Sequence, residues 1–538
     1  MSTHFSYSIC CIRRLAGVAG LALMFLIPSV LRGNAQAAPD AAGGKGRILL
    51  VLPFDNNTGQ PSLEWIREAA AEILSSRFAS AGFAPLSRAD RLYALDHLGL
   101  PQGFQPSRAS SLKLAQTLDA DSIIVGSYRT EGDTLQAEAR IVNVPQLRMG
   151  ESVTASGPLH DLIAVFDSLA WKLTKQLDPE FSVAEETFVA AGASVNLEAF
   201  EQYIRGITEP DQAERLRHLQ TAVKLSPDFS AAWMALARED YAGQQYDQAA
   251  AAFAKVKGND ADALEAGFYR GLALMFSGEY AQAEAAFAAV ARVLPLASVL
   301  SNEGVAISRQ GHDGTALFRQ AEAADPNAAD YHFNLAVSLK RHGAGDGAET
   351  ELTQYLKLRP NDSEALEMQT AWKQPGTDSS VDPLERIERG FDAVAFRQAA
   401  VMMDQMEASR LASLTPEERA TTLSAQAREY LSRGLLLEAE RLYRQAITAD
   451  NRSEPAHEGL AEVRERTGDS EGARQEAQAA LELEPSADAY LVLARLDIAA
   501  NRLDEANRDA GEALKLSPNS QAAKEVLRQV SAKQGAAK

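Results

Sequence analysis

The sequence predicts a multidomain protein, in which an α+β domain with a mixed sheet precedes an all-α superhelix of antiparallel helix pairs. Three observations support this fold class. A pattern typical of helical hairpins recurs at a fixed period, and two apolar runs upstream of it are typical of buried strands. The 538 residues also combine 46% hydrophobic with 23% charged side chains, which is an ordinary composition for a folded globular chain.

Residues 1–37 have the pattern of an export signal. Arg13 and Arg14 precede the apolar run LAGVAGLALMFLIPSVL, and Ala35 and Ala37 follow it. A basic start, a short apolar core and a small-x-small end predict cleavage after about Ala37. The alternative is a retained membrane anchor, because a run of about 17 apolar residues is near the shortest that spans a bilayer. The pattern leaves Sec and twin-arginine export both open.

Charge and cysteine content exclude several classes of function. The only two cysteines, Cys10 and Cys11, lie in the predicted signal, so the mature chain has no thiol for zinc binding, redox chemistry or nucleophilic attack. Loss of residues 1–37, which hold three arginines and no acidic residue, changes the formal net charge from −20 to −23. Such an acidic chain repels phosphate backbones and anionic lipids. We therefore expect no nucleic-acid partner and, after signal cleavage, no integral membrane segment.

Residues 47–178 predict the α+β domain, with about five strands. The apolar run ILLVLPF at Ile48–Phe54 ends at turn-forming residues, and SIIVGSY at Ser122–Tyr128 is similarly continuous, so both predict strands buried on two faces. A Gly-Asp pair then predicts a hairpin turn into the alternating pattern LQAEARI. An amphipathic helix at Leu162–Leu177 completes the domain.

Two stretches of this domain resemble the amino-terminal domain of the periplasmic protein TolB and its relatives. They are LLVLPFDN and ADSIIVGSYRTEGDTLQAEARIVN, and the resemblance covers residues 47–178 in element order. The relatives include envelope lipoproteins that activate peptidoglycan synthases or support curli and flagellar assembly. Helical hairpins follow here in place of TolB-type propeller repeats, so the resemblance does not extend to TolB's own partners.

The helical hairpins show repeat periodicity. YDQAAAAFAKV begins 34 residues before YAQAEAAFAAV, and in each copy a small Ala and a Phe follow at helical spacing. Trp233, Leu236 and Ala237 in one unit, with Gly271 and Phe287 in the next, resemble the tetratricopeptide repeat. The resemblance implies seven or eight hairpins in two arms, an upstream arm at 197–372 and a downstream arm within 384–530.

A break separates the two arms. KQPGTDSSVDP, residues 373–383, has the composition of a flexible linker. The following stretch, Leu384–Leu414, predicts a degenerate helical pair, and its methionines, Met402, Met403 and Met406, are expected in the core.

The search for chemistry predicts no enzyme. Ser110 and Lys113 form a Ser-x-x-Lys pair without its partner motifs, and the glycines of HGAGDG fall where a hairpin turns between helices. The eight histidines are scattered and predict no metal site. We therefore expect no cofactor and no catalytic residues.

The sequence thus predicts an exported periplasmic or cell-envelope scaffold that binds segments of protein partners in the grooves of its repeats. The alternative is a structural, oligomerising subunit of an envelope assembly or secretion complex, with the repeats as spacers. The resemblance implies that the first helix of each hairpin lines the binding face. Positions offset from the packing residues are then the candidate groove: Met234, Arg238, Tyr241, Phe268, Leu272, Met275, Phe333, Val337 and Lys340.

One question about this groove stays open at the level of sequence, and one ligand is not predicted for it. Its aromatic side chains, Phe268 and Phe333, suit either partner binding or packing against neighbouring helices. The groove also lacks the Lys and Asn set with which chaperone-binding relatives hold a C-terminal carboxylate, so that ligand is not predicted.

Overall fold

The structure, a computed structural model, describes residues 48–101, 107–192, 195–257, 262–373 and 383–536. The predicted signal at 1–37 lies outside these ranges, and so does the predicted linker apart from Lys373 and Pro383. The chain divides into two compact units. The first unit contains residues 198–404, and the second unit combines residues 46–197 with residues 405–538.

The second unit begins with a seven-stranded mixed sheet. Its strands are β1 (Ile48–Val51), β2 (Asp55–Asn56), β3 (Ala84–Pro85), β4 (Ser122–Glu131), β5 (Thr134–Asn143), β6 (Arg148–Met149) and β7 (Val153–Pro158). The order is β3-β1-β4-β5-β6, while β2 pairs with β4 and β7 with β5. Pairs within β1 to β4 are parallel, and the pairs that β5 makes are antiparallel. The predicted mixed sheet is confirmed. It has seven strands where about five were predicted, and the additional strands, β2 and β6, are each two residues long.

Five helices accompany this sheet: α1 (Ile66–Ser80), α2 (Arg88–His97), α3 (Arg108–Thr117), α4 (Leu162–Leu177) and α5 (Glu185–Ala190). Leu50 of β1 packs with Ala94 of α2 and Leu114 of α3. Phe54, which follows β1, packs edge to face on Phe166 of α4, with ring centroids 5.7 Å apart. Helices on both sides of β1 explain why its sequence is continuously apolar instead of alternating.

The first unit is a series of helical hairpins. Its helices are α6 (Leu197–Thr208), α7 (Gln212–Leu225), α8 (Ser230–Ala242), α9 (Tyr246–Phe253), α10 (Ala263–Ser277), α11 (Tyr280–Ala291), α12 (Ala297–Arg309), α13 (Thr315–Ala324), α14 (Ala329–Arg341), α15 (Gly345–Leu358), α16 (Ser363–Lys373) and α17 (Ala393–Ala412). Each hairpin packs as the repeat pattern predicts. A methyl group added at Gly271 would lie 2.6 Å from the ring of Phe287, and Ala249 and Ala283 are fully buried. Small residues therefore let the helices approach closely enough for the Phe ring to fill the gap.

The second unit ends with further hairpins: α18 (Pro416–Ser432), α19 (Leu436–Ala449), α20 (Glu454–Thr467), α21 (Ser470–Leu483), α22 (Ala487–Ala499), α23 (Leu503–Leu516) and α24 (Gln521–Ala536). Thr415 and Glu418 start α18 with a reciprocal capping box. Tyr443 takes the place that Phe287 has in the first unit, because it follows the buried Ala439 by four residues as Phe287 follows Ala283, and its ring lies against Gly459 of the next helix.

The helical prediction for Leu384–Leu414 is correct only for Ala393–Ala412. Residues 383–392 form neither helix nor strand. The prediction that the methionines of this stretch are core is wrong for two of them. Met402 and Met406 are 62% and 59% exposed, whereas Met403 packs against the core of the first unit.

Candidate functional site

An extended stretch, residues 383–392, lies against the first helices of three consecutive hairpins in the first unit. We call this stretch, PLERIERGFD, the inner segment. We call the surface that holds it the groove. The groove residues come from α10, α12 and α14, and they are Phe268, Tyr269, Asn302, Ser308, Arg309, Phe333, Asn334 and Arg341.

Two asparagines bind the backbone of the inner segment. The Asn334 side-chain amide donates to the carbonyl oxygen of Arg386 at 2.8 Å, and its oxygen accepts from the Arg386 N–H at 2.6 Å. Asn302 repeats this arrangement at Glu388, with distances of 2.8 and 2.9 Å. Residues two apart on an extended chain face the same way, so both backbone pairs point into the groove. Each asparagine makes the two backbone hydrogen bonds that a neighbouring strand would otherwise make to this residue.

A third polar residue continues this row. The Tyr269 hydroxyl hydrogen bonds to the backbone of Phe391, and burial raises the pKa of the phenol. Tyr269, Asn302 and Asn334 each stand two residues before the small residue of their helix, which is Gly271, Gly304 or Ala336 in turn. Equivalent positions in successive hairpins therefore hold the inner segment, which runs in the opposite direction to the order of the repeats.

The groove asparagines are enclosed together with the backbone that they bind. Both side chains are completely buried in the unit. The second N–H of the Asn334 amide has its own acceptor, the Ser301 hydroxyl, at 3.0 Å. If the inner segment left, the amides would exchange these hydrogen bonds for bonds to water, which typically disfavours that state by about 0.5–1.5 kcal/mol per hydrogen bond. The groove is therefore built to be occupied by an extended backbone.

Beside this row lies a pocket for a carboxylate. The side chain of Glu385 is fully enclosed, and it contacts the Ser308 hydroxyl and the guanidinium of Arg341. Arg309 lies 3.7 Å from the second carboxylate oxygen and donates to the Glu385 carbonyl at 3.2 Å. Arg341 also donates to the carbonyl of Pro383 at 2.7 Å. A buried carboxylate is tolerated when charged donors surround it in this way.

The next residue of the inner segment, Arg386, enters a pocket of acidic and aromatic side chains. The guanidinium of Arg386 stacks over the ring of Phe333, 4.2 Å from its centroid, and reaches the Asp362 carboxylate at 2.9 Å. Glu364 accepts a further hydrogen bond at 3.2 Å. Aromatic faces and carboxylates together favour a planar cation. Adjacent side chains of the inner segment thus enter adjacent pockets of opposite charge.

The far end of the inner segment is held by apolar contacts. The ring of Phe391 lies 5.6 Å from that of Phe268, and Ile387 packs against the same core. Arg389 lies over the ring of Phe276 at 5.7 Å. Burial, with the nearby Asp330 carboxylate, raises the pKa of Glu388.

The structure divides the nine predicted groove residues into three sets. Phe268 and Phe333 contact the inner segment while lying fully buried among helices, so both roles considered from the sequence apply to them. A second set is buried in helix packing: Met234, Leu272, Met275 and Val337. The remaining set makes local contacts. Arg238 pairs with Glu265 at 2.8 Å, Lys340 lies over the ring of Trp372, and Tyr241 packs among Tyr246, Tyr269 and Phe276.

Sequence reasoning missed the polar residues of the groove. Asn302 and Asn334 do not hold a terminal carboxylate as the set in chaperone-binding relatives does, since they bind backbone within a chain. The signal that could have found them is positional. An amide side chain two residues before the small packing residue recurs in two consecutive hairpins.

Comparison with known proteins confirms the repeats. Residues 308–363 and 424–490 match the family model described as Tetratricopeptide repeat. No curated protein sequence matches the chain. Within the ranges that the structure describes, no helix has the length and apolar character needed to cross a membrane.

Several solved structures are similar to parts of the chain. MamA from Desulfovibrio magneticus RS-1 is 21% identical, over 31% of this chain and 98% of MamA, with a TM-score of 0.28. YrrB, titled a TPR protein with an unusual peptide-binding site, is 15% identical over 33% of this chain and 92% of its own, with a TM-score of 0.30. The LpoB C-terminal domain from Escherichia coli is 21% identical over 21% of this chain and 82% of its own, with a TM-score of 0.19.

Proposed function

We propose that this chain is an exported protein-interaction scaffold that binds an extended segment of a partner protein in the groove of its first unit. One observation carries the proposal: Asn302 and Asn334 each bind both backbone groups of a residue in an extended chain. Recognition of backbone groups does not depend on the identity of the bound side chain. The same amides can therefore hold a segment from another protein.

The repeat family supports a binding role. Tetratricopeptide-repeat proteins are typically non-catalytic scaffolds that bind protein partners, and two stretches of the chain carry these repeats. The hydrogen-bonding side chains of the groove face a protein backbone and not a small-molecule site. Extended peptides that gain main-chain hydrogen bonds and alternate side-chain pockets form a recurrent mode of recognition.

The location follows from the sequence pattern of residues 1–37. Its basic start, apolar core and Ala-Gln-Ala end support export to the periplasm or cell envelope. The domain at 47–178, which resembles the amino-terminal domain of TolB, would then dock a second envelope component. Size exclusion with light scattering separates this scaffold from an oligomeric structural subunit, because the scaffold is expected to be monomeric.

The experiment that tests the scaffold is capture from the native envelope fraction with the mature chain. The double variant Asn302→Ala/Asn334→Ala should lose a partner that the wild type retains after chemical cross-linking. Asn327→Ala is the matched control, because this asparagine lies in the same array with an exposed side chain. Equal capture by the wild type, the double variant and the control would contradict the proposal. Circular dichroism melts of all three chains show whether the fold is retained.

A further inference from the structure

The two pockets beside the inner segment's backbone contacts differ in charge. We propose that the groove selects partner peptides with a glutamate followed directly by an arginine and an apolar residue, and that the inner segment is a tethered competitor which such a peptide displaces. This inference rests on the proposed function. It specifies the peptide sequence that the groove binds, and it gives the inner segment the role of occupying the groove when no partner is bound.

The order of the two charges is fixed by the groove. Glu385 lies between Arg309 and Arg341, whereas Arg386 faces carboxylates of Asp362 and Glu364. Exchange of the two side chains would place each charge against like charges, which strongly disfavours binding. A peptide with Arg before Glu is therefore rejected although its composition is the same.

The identity of the cation matters as well. The guanidinium of Arg386 stacks on Phe333 and hydrogen bonds to two carboxylates at once. A planar fork makes these contacts together, while an ammonium group on a flexible stem does not stack. The pocket thus favours arginine over lysine.

The apolar positions set the length of the motif. Ile387 packs against the core of the unit, and Phe391 meets Phe268 while its backbone hydrogen bonds to Tyr269. The full motif is then Glu-Arg-Ile, three further residues and Phe. The chain itself carries this motif in the inner segment, at 385–391.

Displacement is required because the groove's backbone contacts are already in use. Asn302 and Asn334 have each used their amide oxygen and an N–H on the inner segment. A partner peptide needs the same atoms, so the two cannot be bound together. A tethered ligand acts at an effective concentration of about millimolar. Its presence weakens the apparent affinity for a free peptide in proportion to the fraction of time the groove is occupied.

The test measures binding of a fluorescein-labelled peptide, LERIERGFD, to the full chain by fluorescence polarisation. The variant Glu385→Gln/Arg386→Gln weakens the inner segment and leaves the groove residues unchanged. We expect this variant to bind the peptide at least about tenfold more tightly than the wild type does. The control Lys357→Gln/Glu367→Gln removes one charge of each sign at exposed positions of α15 and α16 and should bind as the wild type does.

Altered peptides test the selectivity without any change to the protein. LREIERGFD, with the first two charges exchanged, should bind the weakened variant at least about a hundredfold less tightly than LERIERGFD, since two charges would meet like charges. Equal binding of the two peptides would overturn the selectivity. Equal affinity of wild type and weakened variant for LERIERGFD would overturn the competition.

These outcomes are distinct from failure of the scaffold itself. If the peptide binds no folded variant while capture of a native partner still depends on Asn302 and Asn334, the inference fails and the proposed function stands. If capture is also independent of both asparagines, both fail.

Discussion

Each of the two repeat arrays binds a stretch of its own chain that is not a repeat, and the two stretches differ in conformation. In the first unit the bound stretch is extended, and side-chain amides supply its backbone hydrogen bonds. In the second unit the bound stretch is the helix α5, which packs against α19 and α20. A helix makes its backbone hydrogen bonds internally, whereas an extended chain needs a partner for each.

The contacts of α5 show this difference. The carboxylate of Glu440 accepts the N–H of Ala184 at 3.0 Å, which satisfies a free donor at the helix start. The hydroxyls of Thr187 and Thr467 lie 3.2 Å apart. Phe188 is completely buried, with the guanidinium of Arg77 stacked on its ring. The second unit thus holds this stretch through packing and one helix end.

One position of the repeat accounts for the difference in backbone recognition between the two arrays. Where the first unit has Tyr269, Asn302 and Asn334, the second unit has Ala425, Gly459 and Val492, each two residues before the small residue of its helix. None of these three residues has a side chain that can form a hydrogen bond. We conclude that backbone recognition is a property of the first unit's groove and that the second array serves to hold the α+β domain's connecting helix.

The largest expected effect concerns the helix α5. Phe188→Ala should destabilise the second unit by about 3–5 kcal/mol, because it empties a fully buried aromatic site. The control Phe391→Ala, at a half-buried ring of the inner segment, should leave that unit's stability unchanged. The free energy of unfolding is measured by urea titration with tryptophan fluorescence as the signal, in a chain in which Trp233 and Trp372 are replaced by Phe. The remaining tryptophans then lie in the second unit. An equally small change for both variants would contradict the packing role of α5.

The next effect concerns the groove amides. In the background with the weakened inner segment, Asn302→Ala/Asn334→Ala should reduce affinity for the peptide LERIERGFD about a hundredfold. Loss of two bidentate amide contacts corresponds to about 3 kcal/mol. The matched change in the second array, Val492→Ala, should leave peptide affinity unaltered. If Val492→Ala weakens binding to the same extent, the groove amides do not account for the difference between the arrays.

The sequence predicted the repeat packing because that packing is local and periodic. Gly271 and Phe287 recur at fixed spacing, so one repeat explains the next. The conformation of the inner segment was not predictable in this way. Leu384, Ile387 and Phe391 fall at helical spacing, and the amides that hold this stretch extended lie far away in sequence. The pairing of α5 with α19 and α20 is missed for the same reason, since no local pattern records it.

A smaller effect is expected from pH in the second unit. Asp167 is 1% exposed, and burial raises the pKa of its carboxyl to about 7, although Arg77 opposes this. The group binds its proton more tightly when the chain is folded, so its contribution to stability is full below about pH 4 and is lost as pH rises through 7. Between pH 6 and 8 the loss is about 1 kcal/mol. Asp167→Asn should flatten this slope in urea titrations, and an unchanged slope would assign the pH dependence elsewhere.

The smallest expected effect is a local change in the order of trypsin cleavage. It distinguishes an inner segment that is bound in the groove from one that is mostly unbound. Trypsin should cut the folded wild type after Lys373, which is exposed and precedes the predicted linker, before it cuts after Arg386 or Arg389. Both arginines belong to a stretch whose backbone is hydrogen bonded, and cleavage there requires that stretch to leave the groove. In Asn302→Ala/Asn334→Ala the order should change, with early cuts at both arginines seen by mass spectrometry. Cleavage after the lysines and arginines of the second array should stay slow in both chains, because that array does not depend on these amides. Early cutting at Arg386 in the wild type would mean that the inner segment spends most of its time outside the groove.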